Sequence, residues 1–269
     1  MKEKVLVLDI DGTLTNSQKE ISDATKRGIQ GVLERGHKVI LASGRPTPGM
    51  RRYEKELELE KYGGYLLSFN GARIIECRSG EIIYQRTISP GILSSLYAFA
   101  KRKGCGLITY FGDQIISAFE PDRYVELEAR INGMPVKVVE NFKEYVDFEV
   151  NKYLVTAPSV EEAPALEMEL REKFGDVASV YRSEPFFIEI MPKNVDKATS
   201  LDKMLESVGL TREDAICCGD GFNDISMIRY AGVGVAMGNA QPAVKEAADY
   251  ITGTNDEDGL VQVMDKFME

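Results

Sequence analysis

Read from the N-terminus, Val5–Leu8 is a continuous apolar, β-prone run that stops at two aspartates. Its lack of alternation predicts a strand covered on both faces, as in a parallel sheet. Thr25, Ile29, Val32 and Leu33 then recur at helical spacing, with Ser22 placed to cap the start and Gly36 to stop the end. A second apolar run, Val39–Ala42, leads into Ser43-Gly44-Arg45-Pro46. Strand, helix and buried strand in this order predict a right-handed βαβ unit. The same grammar returns near the C-terminus: a helical stripe through Leu201, Met204, Leu205 and Val208, a strand at Ala215–Cys218, a helix around Ile225–Tyr230 and a strand at Val233–Met237. Helical patterns near Pro242–Ala248 and Leu260–Phe267 close the chain.

The middle has a different rhythm. Leu107–Phe111 and Gln114–Phe119 flank Gly112-Asp113, a two-residue hairpin signal. Helical stretches near Tyr124–Ile131 and Leu166–Phe174 separate strands at Val136–Val139, Tyr153–Thr156, Val177–Tyr181 and Phe186–Ile190. The expectation is an α/β fold with a Rossmann-like parallel-sheet core at residues 1–84 and 190–269, interrupted by an α+β insert at 85–189. Its 269 residues suit one large or two ordinary domains at roughly 150 residues each.

Charge narrows the function. With 33 basic and 43 acidic residues the net charge is −10, which disfavours nucleic acid or an anionic membrane surface as partner. An anionic small substrate would need local cations. Cys77, Cys105, Cys217 and Cys218 form no C-x-x-C pair, and the last two lie in an apolar run as small hydrophobes. The opening MKEKVLVLDIDGT reads as neither a signal peptide nor a membrane span, so a reduced, cytoplasmic protein is expected. The one histidine, His37, falls between a helix end and a strand, a structural place that offers no Ser-His or Cys-His pair. Chemistry is left to carboxylates, lysine and hydroxyls.

Those residues gather at strand ends. Asp9-Ile10-Asp11-Gly12-Thr13 follows the first strand, and in extended chain Asp9 and Asp11 project to one side. Ligands of open α/β sheets bind outside the carboxyl ends of the strands. Two close carboxylates raise each other's pKa unless a cation joins them, and a few hard oxygen ligands suit Mg²⁺. The alternative is an aspartate turn; an EF-hand needs its glycine elsewhere and a preceding helix. Ser43-Gly44 offers a hydroxyl and backbone N–H groups to phosphate oxygens, although it is also a common turn. Gly219-Asp220-Gly221-Phe222-Asn223-Asp224 adds two carboxylates and an amide on a glycine turn. Lys197, at the start of the Leu201 helix, is by default a surface lysine.

Together DIDGT at Asp9–Thr13, SGR at Ser43–Arg45, the lysine of NVDKATSL at Lys197 and GDGFND at Gly219–Asp224 resemble, in order and across the chain, the haloacid dehalogenase superfamily, closely its Cof-type branch. Asn70-Gly71-Ala72 is similar to that family's segment before its cap. The resemblance implies Asp9 as nucleophile, forming an aspartyl-phosphate, and Asp11 as general acid and base. It implies Mg²⁺ held by Asp9, Asp11 through its backbone carbonyl, and Asp220. Phosphate would be held by the Ile10 N–H, Ser43, Gly44, Lys197 and Asn223, with Gly12, Thr13, Arg45 and Asp224 in support. The insert becomes a cap over a small soluble phosphate ester, with Arg182, Glu184 and Glu189 aimed at the leaving group or else standing as solvated strand charges. Tyr110, Phe111 and Tyr124 read as cap packing. The expected activity is a sugar-phosphate phosphatase. A phosphosugar mutase and a non-catalytic phosphometabolite sensor are the alternatives, while a receiver domain is disfavoured by the cap and by Asp11. Oligomeric state is left open.

Overall fold

A computed structural model describes residues 2–268 of the chain. It forms two compact units: one of residues 1–85 and 196–269, the other Arg86–Val195, against the 85–189 expected for the insert. In chain order the first unit opens with β1 (Val5–Leu8), α1 (Asp23–Glu34), β2 (Lys38–Ala42), α2 (Thr47–Glu56), α3 (Leu59–Tyr62), β3 (Tyr65–Ser68), β4 (Arg73–Glu76) and β5 (Ile82–Gln85). The insert follows with α4 (Leu93–Lys103), β6 (Gly106–Phe111), β7 (Gln114–Ser117), α5 (Arg123–Asn132), β8 (Val136–Val138), α6 (Phe142–Tyr145), β9 (Tyr153–Thr156), α7 (Ala163–Phe174), β10 (Ala178–Glu184) and β11 (Phe187–Pro192). The first unit resumes with α8 (Lys197–Ser207), β12 (Ala215–Gly219), α9 (Ile225–Tyr230), β13 (Val233–Ala236), α10 (Pro242–Ala247), β14 (Tyr250–Ile251) and α11 (Gly259–Phe267).

The first unit is built on a sheet of order β14-β13-β12-β1-β2-β3-β4-β5. From β14 to β3 every pairing is parallel; β4 and β5 join antiparallel. Alternate residues of the unbroken apolar runs enter two separate cores. Leu6, Leu8, Val39, Leu41, Ile216 and Cys218 pack with Ile29 and Val32 of α1, Met50 of α2 and Val263 of α11. Val5, Val7, Ile40, Ala42, Ala215 and Cys217 pack with Leu201, Met204 and Leu205 of α8. That is why these strands carry no polar alternation: each lies between two layers of helices. Each fully buried aliphatic side chain contributes ~1.5–3 kcal/mol. The chain leaves β1 toward β2 and β3, then returns on the other side of β1 with β12, so the switch point for ligands is the end of β1.

α1 begins where expected, Ser22 accepting the Thr25 N–H. His37 is buried and its Nδ1 accepts the Lys4 N–H at 3.2 Å, a structural role. Cys217 and Cys218 are buried free thiols on opposite sheet faces. Elements absent from the expectation are α2, α3, α4, α6 and the strands β3, β4, β5 and β14.

The second unit has a six-stranded sheet, β10-β11-β9-β6-β7-β8, antiparallel except for β7 with β8. One core unites Phe99 of α4, Leu107, Val155, Ile188, Ile190 and Leu166 and Leu170 of α7. β11 extends to Pro192, so the boundary expected at 189 falls inside a strand. Pro164 sits in the first turn of α7, where its missing N–H is no loss. Tyr124 stacks on Phe186 with centroids 4.1 Å apart, and Tyr110 is buried. Phe111 is half exposed and rests against Phe148 at 4.3 Å between centroids.

Candidate active site

The parallel strands of the first unit end together, and the polar residues collect there. The chain turns immediately after β1: Leu14 and Thr15 donate their N–H groups to the Asp9 and Ile10 carbonyls at 3.1 and 3.0 Å. This turn requires Gly12 at φ +89°, and a Cβ there would stand 2.4 Å from Asp220 Oδ2. The Ile10 side chain is buried in the core, and its N–H has no acceptor among the described residues.

Lys197 Nζ is the centre of the cluster. It donates to Asp9 Oδ1 at 2.6 Å, to Asp224 Oδ1 at 2.6 Å and to the Ala42 carbonyl at the end of β2 at 2.8 Å. The side chain is 1% exposed, so the surface-lysine alternative is set aside. Asp196 caps α8 by accepting the Thr199 N–H, which fixes Lys197 as the first helical residue. Asp224 Oδ2 accepts from the Asp220 and Gly221 N–H groups at 3.0 and 2.9 Å, closing the glycine turn after β12. Thr13 Oγ1 donates to Asp220 Oδ1 at 2.9 Å.

Asp11 departs from the geometry of a continued strand. Its carboxylate does not join Asp9; Arg45 Nε and Nη2 grip it at 2.7 and 2.9 Å, and Lys19 Nζ adds a contact at 3.1 Å. Asp9 still donates its N–H to the Cys218 carbonyl at 3.0 Å, and the chain turns only beyond it, so strict alternation of side chains does not extend to Asp11. The carboxylates that do converge are Asp9, Asp220 and Asp224, each with an oxygen within 4.8 Å of the others.

Ser43, buried at the end of β2, accepts the Arg45 N–H on Oγ at 3.2 Å and donates its own N–H to Leu67. Gly44 lies so close to Asn70 that a Cβ would meet Asn70 Oδ1 at 3.1 Å. Asn223 Nδ2 donates to the same Asn70 Oδ1 at 3.0 Å. Asn70, Lys19 and Asn239, whose Nδ2 donates to the Gly12 carbonyl at 2.8 Å, received no role in the sequence reading. The signal for Asn70 was its Asn-Gly dipeptide, which here holds φ +52°.

Electrostatics follow from this packing. Burial pushes Asp9 well above the ordinary carboxylate range, reinforced by Asp224 and opposed by Lys197. Burial likewise lifts Asp220 to about 6 against the Thr13 hydrogen bond. Burial works the same way on Asp11, but the Arg45 and Lys19 contacts overcome it and bring its pKa down to about 2. Two carboxyl groups held high beside a third, with hard oxygen donors only, fit a divalent cation.

Arg182, Glu184 and Glu189 belong to the second unit. Arg182 Nε is paired with Glu167 Oε2 on α7 at 2.6 Å, and Glu184 ends β10. Glu189 is not a solvated strand charge: it is 5% exposed, paired with Lys152 Nζ at 3.2 Å and bonded by Tyr181 Oη at 3.0 Å.

A buried carboxylate directly after β1, a lysine bridge from α8 and an acidic turn after β12 meet at one end of the sheet. The family model of haloacid dehalogenase-like hydrolases matches residues 6–264, and the chain belongs to that family. A haloacid dehalogenase-like hydrolase from Bacteroides thetaiotaomicron is 42% identical, with 98% of this chain and 99% of that one covered and a TM-score of 0.95. A sugar phosphatase of HAD subclass IIB is 29% identical over 98% of both chains, at a TM-score of 0.83. The 5-amino-6-(5-phospho-D-ribitylamino)uracil phosphatase YcsE of Bacillus subtilis is 27% identical over 97% of this chain and 94% of its own. The enzyme stands with the Cof-type phosphatase members of the family, which use a divalent metal. No helix of the described residues is long and apolar enough to cross a membrane.

Proposed function

We propose that the enzyme is a Mg²⁺-dependent phosphatase of small phosphomonoesters, sugar phosphates foremost. The observation that carries this reading is the buried Asp9 carboxylate, held by Lys197 at the sheet's switch point beside Asp220 and Asp224. The likeness to a sugar phosphatase and to a phosphatase of a phosphorylated ribityl compound supports the substrate class.

In the first half-reaction an Asp9 oxygen forms a bond to phosphorus as the ester P–O bond breaks, and Asp11 gives its proton to the leaving oxygen. Delivery of that proton requires Arg45 and Lys19 to turn away from the Asp11 carboxylate. In the second half, water attacks phosphorus, its proton passes to Asp11, and the Asp9–phosphorus bond breaks to release phosphate. The anionic Asp11 held by Arg45 suits this second role as base. Lys197, the Ile10 N–H, Ser43, Gly44 and Asn223 bind the phosphoryl oxygens, while Thr13 orients Asp220 and Asp224 orients Lys197. Asp9, Asp220 and the Asp11 backbone carbonyl hold Mg²⁺, which when bound supplies positive charge to offset repulsion between the phosphate and Asp9.

The test is phosphate release from sugar phosphates, nucleotides and an aryl phosphate, with Mg²⁺ or EDTA, for the wild type and Asp9→Asn. Mg²⁺-dependent release concentrated on hexose or pentose phosphates, and lost in Asp9→Asn, is expected. Turnover retained in Asp9→Asn overturns the nucleophile assignment; release only on addition of a sugar diphosphate favours a mutase.

A further inference from the structure

Three consecutive residues after β3 hold the left-handed backbone: Phe69 at φ +52°, Asn70 at φ +52° and Gly71 at φ +102°. Glycine takes this region freely and asparagine more readily than most, but a buried aromatic such as Phe69 is an outlier there. Such a run persists only where its surroundings over-determine it. The Phe69 and Asn70 N–H groups donate to the Arg45 and Ser43 carbonyls, each at 2.9 Å, which ties both carbonyls flanking Gly44. From α8, Ser200 Oγ donates to the Gly71 carbonyl at 2.7 Å. A Cβ on Gly71 would stand 2.5 Å from that hydroxyl oxygen, so only glycine fits.

The side chain aimed by this backbone is the Asn70 amide. Its Oδ1 accepts from Asn223 Nδ2 at 3.0 Å, and the same amide covers Gly44. Asn223 is exposed, on the turn after β12, and this is its one side-chain hydrogen bond among the described residues. An exposed amide with a single anchor turns freely once that anchor is lost. With one Nδ2 hydrogen held by Asn70, the other keeps a fixed direction. Neither side chain is charged, so the bond acts through orientation. Strain of this kind, gathered where two site-forming turns meet, marks a place at which shape serves function.

We propose that Asn70 is a positioning residue of the phosphate site, its strained turn setting the Asn223 amide and the Ser43–Arg45 loop against one another. The inference rests on the reading that Ser43, Gly44 and Asn223 bind phosphoryl oxygens. A turn kept only for its shape tolerates Asn70→Gly, because glycine adopts a positive φ at no steric cost. A positioning amide does not.

The test uses the full chain with Mg²⁺ and p-nitrophenyl phosphate, and compares the wild type with Asn70→Gly, Asn223→Ala and the double variant. Asn70→Gly lowers kcat/KM about tenfold, the scale of one oriented hydrogen bond to a charged oxygen, and weakens inhibition by inorganic phosphate by a similar factor. Its melting midpoint stays within about 4 °C of the wild type. Because Asn70 acts through Asn223, adding Asn70→Gly to Asn223→Ala costs less than about a further twofold. Full activity in either single variant overturns the proposal. A midpoint lowered beyond that range does so too, since the amide then belongs to the fold. Losses that multiply in the double variant show two side chains acting independently, which is equally fatal to it. Absence of turnover in the wild type refutes the phosphatase reading itself, and this role of Asn70 with it.

Discussion

Lys197→Met removes one charge from the least accessible point of the site while keeping a side chain of similar length. Lys197 Nζ is the shared partner of Asp9 and Asp224, whose carboxylate oxygens lie within 4.8 Å of one another. At an effective dielectric near 20, two like charges at that separation repel by about 3.5 kcal/mol or more once nothing lies between them. This agrees with the ~3–5 kcal/mol measured when one partner of a buried ion pair is deleted. For a unit of this size each kcal/mol moves the melting midpoint by about 2–4 °C, so a loss of roughly 6–20 °C is expected at pH 7.5. Thermal unfolding by differential scanning fluorimetry reads it directly. Lys197→Met/Asp224→Asn, which removes one of the two repelling charges, recovers a large part of the loss. An unchanged midpoint in Lys197→Met, or a double variant no more stable than the single, refutes the account of Lys197 as the group that holds these carboxylates together.

The raised pKa of Asp220 sets a pH dependence with a definite sign. A carboxyl group whose folded pKa of about 6 exceeds its ordinary 3.8 is more comfortable protonated in the fold, so without metal its ionisation removes stability as pH rises from 4 through 6. Mg²⁺ should therefore raise the melting midpoint strongly at pH 7.5 and weakly at pH 5, and equal shifts at both would contradict this. Gly12→Ala places a Cβ 2.4 Å from Asp220 Oδ2 at a φ of +89°, so a loss of ~1–3 kcal/mol and weaker Mg²⁺ binding by calorimetry are expected. Lys152→Met strands Glu189 in the second unit and is expected to lower stability by ~3–5 kcal/mol. A change in substrate KM without loss of stability would instead make that pair a reader of substrate.

The parallel core was legible because its strands are buried on both faces and announce themselves as unbroken apolar runs, with Asp9, Ser43 and Gly219-Asp220 at the ends of β1, β2 and β12. α2 was not, since TPGMRRYEKE shows charge where a helical stripe should be: Glu54 is buried in it, compensated by Arg51. β5 hid for the opposite reason, its Ile82 and Ile83 standing exposed on a sheet edge. In the site, Asp9, Lys197, Asp220 and Asp224 lie in dense motifs at strand or helix ends. Lys19 and Asn70 come from loops whose positions depend on tertiary folding, and no local pattern links Lys19 to Asp11. Asp11 is bonded by Arg45 and Lys19 and stands outside the Asp9, Asp220 and Asp224 cluster, a pairing that strand alternation alone does not foretell. Glu189 looked like a surface charge because its counter-ion, Lys152, lies 37 residues away.

The bridge from Lys197 to Asp9 joins residues 188 positions apart, and β1 takes one of its two sheet neighbours, β12, from beyond the insert. On a ribosome adding about 5–20 residues per second, the segment Arg86–Val195 takes roughly 5–20 s to emerge. Throughout that interval β1, β2 and β3 can pair, but the flank of β1 that will receive β12 lies open and Asp9 has no cation from α8. The nascent protein thus passes through a stage with an exposed apolar strand edge. A chaperone that shields this edge would matter most before Lys197 has been synthesised.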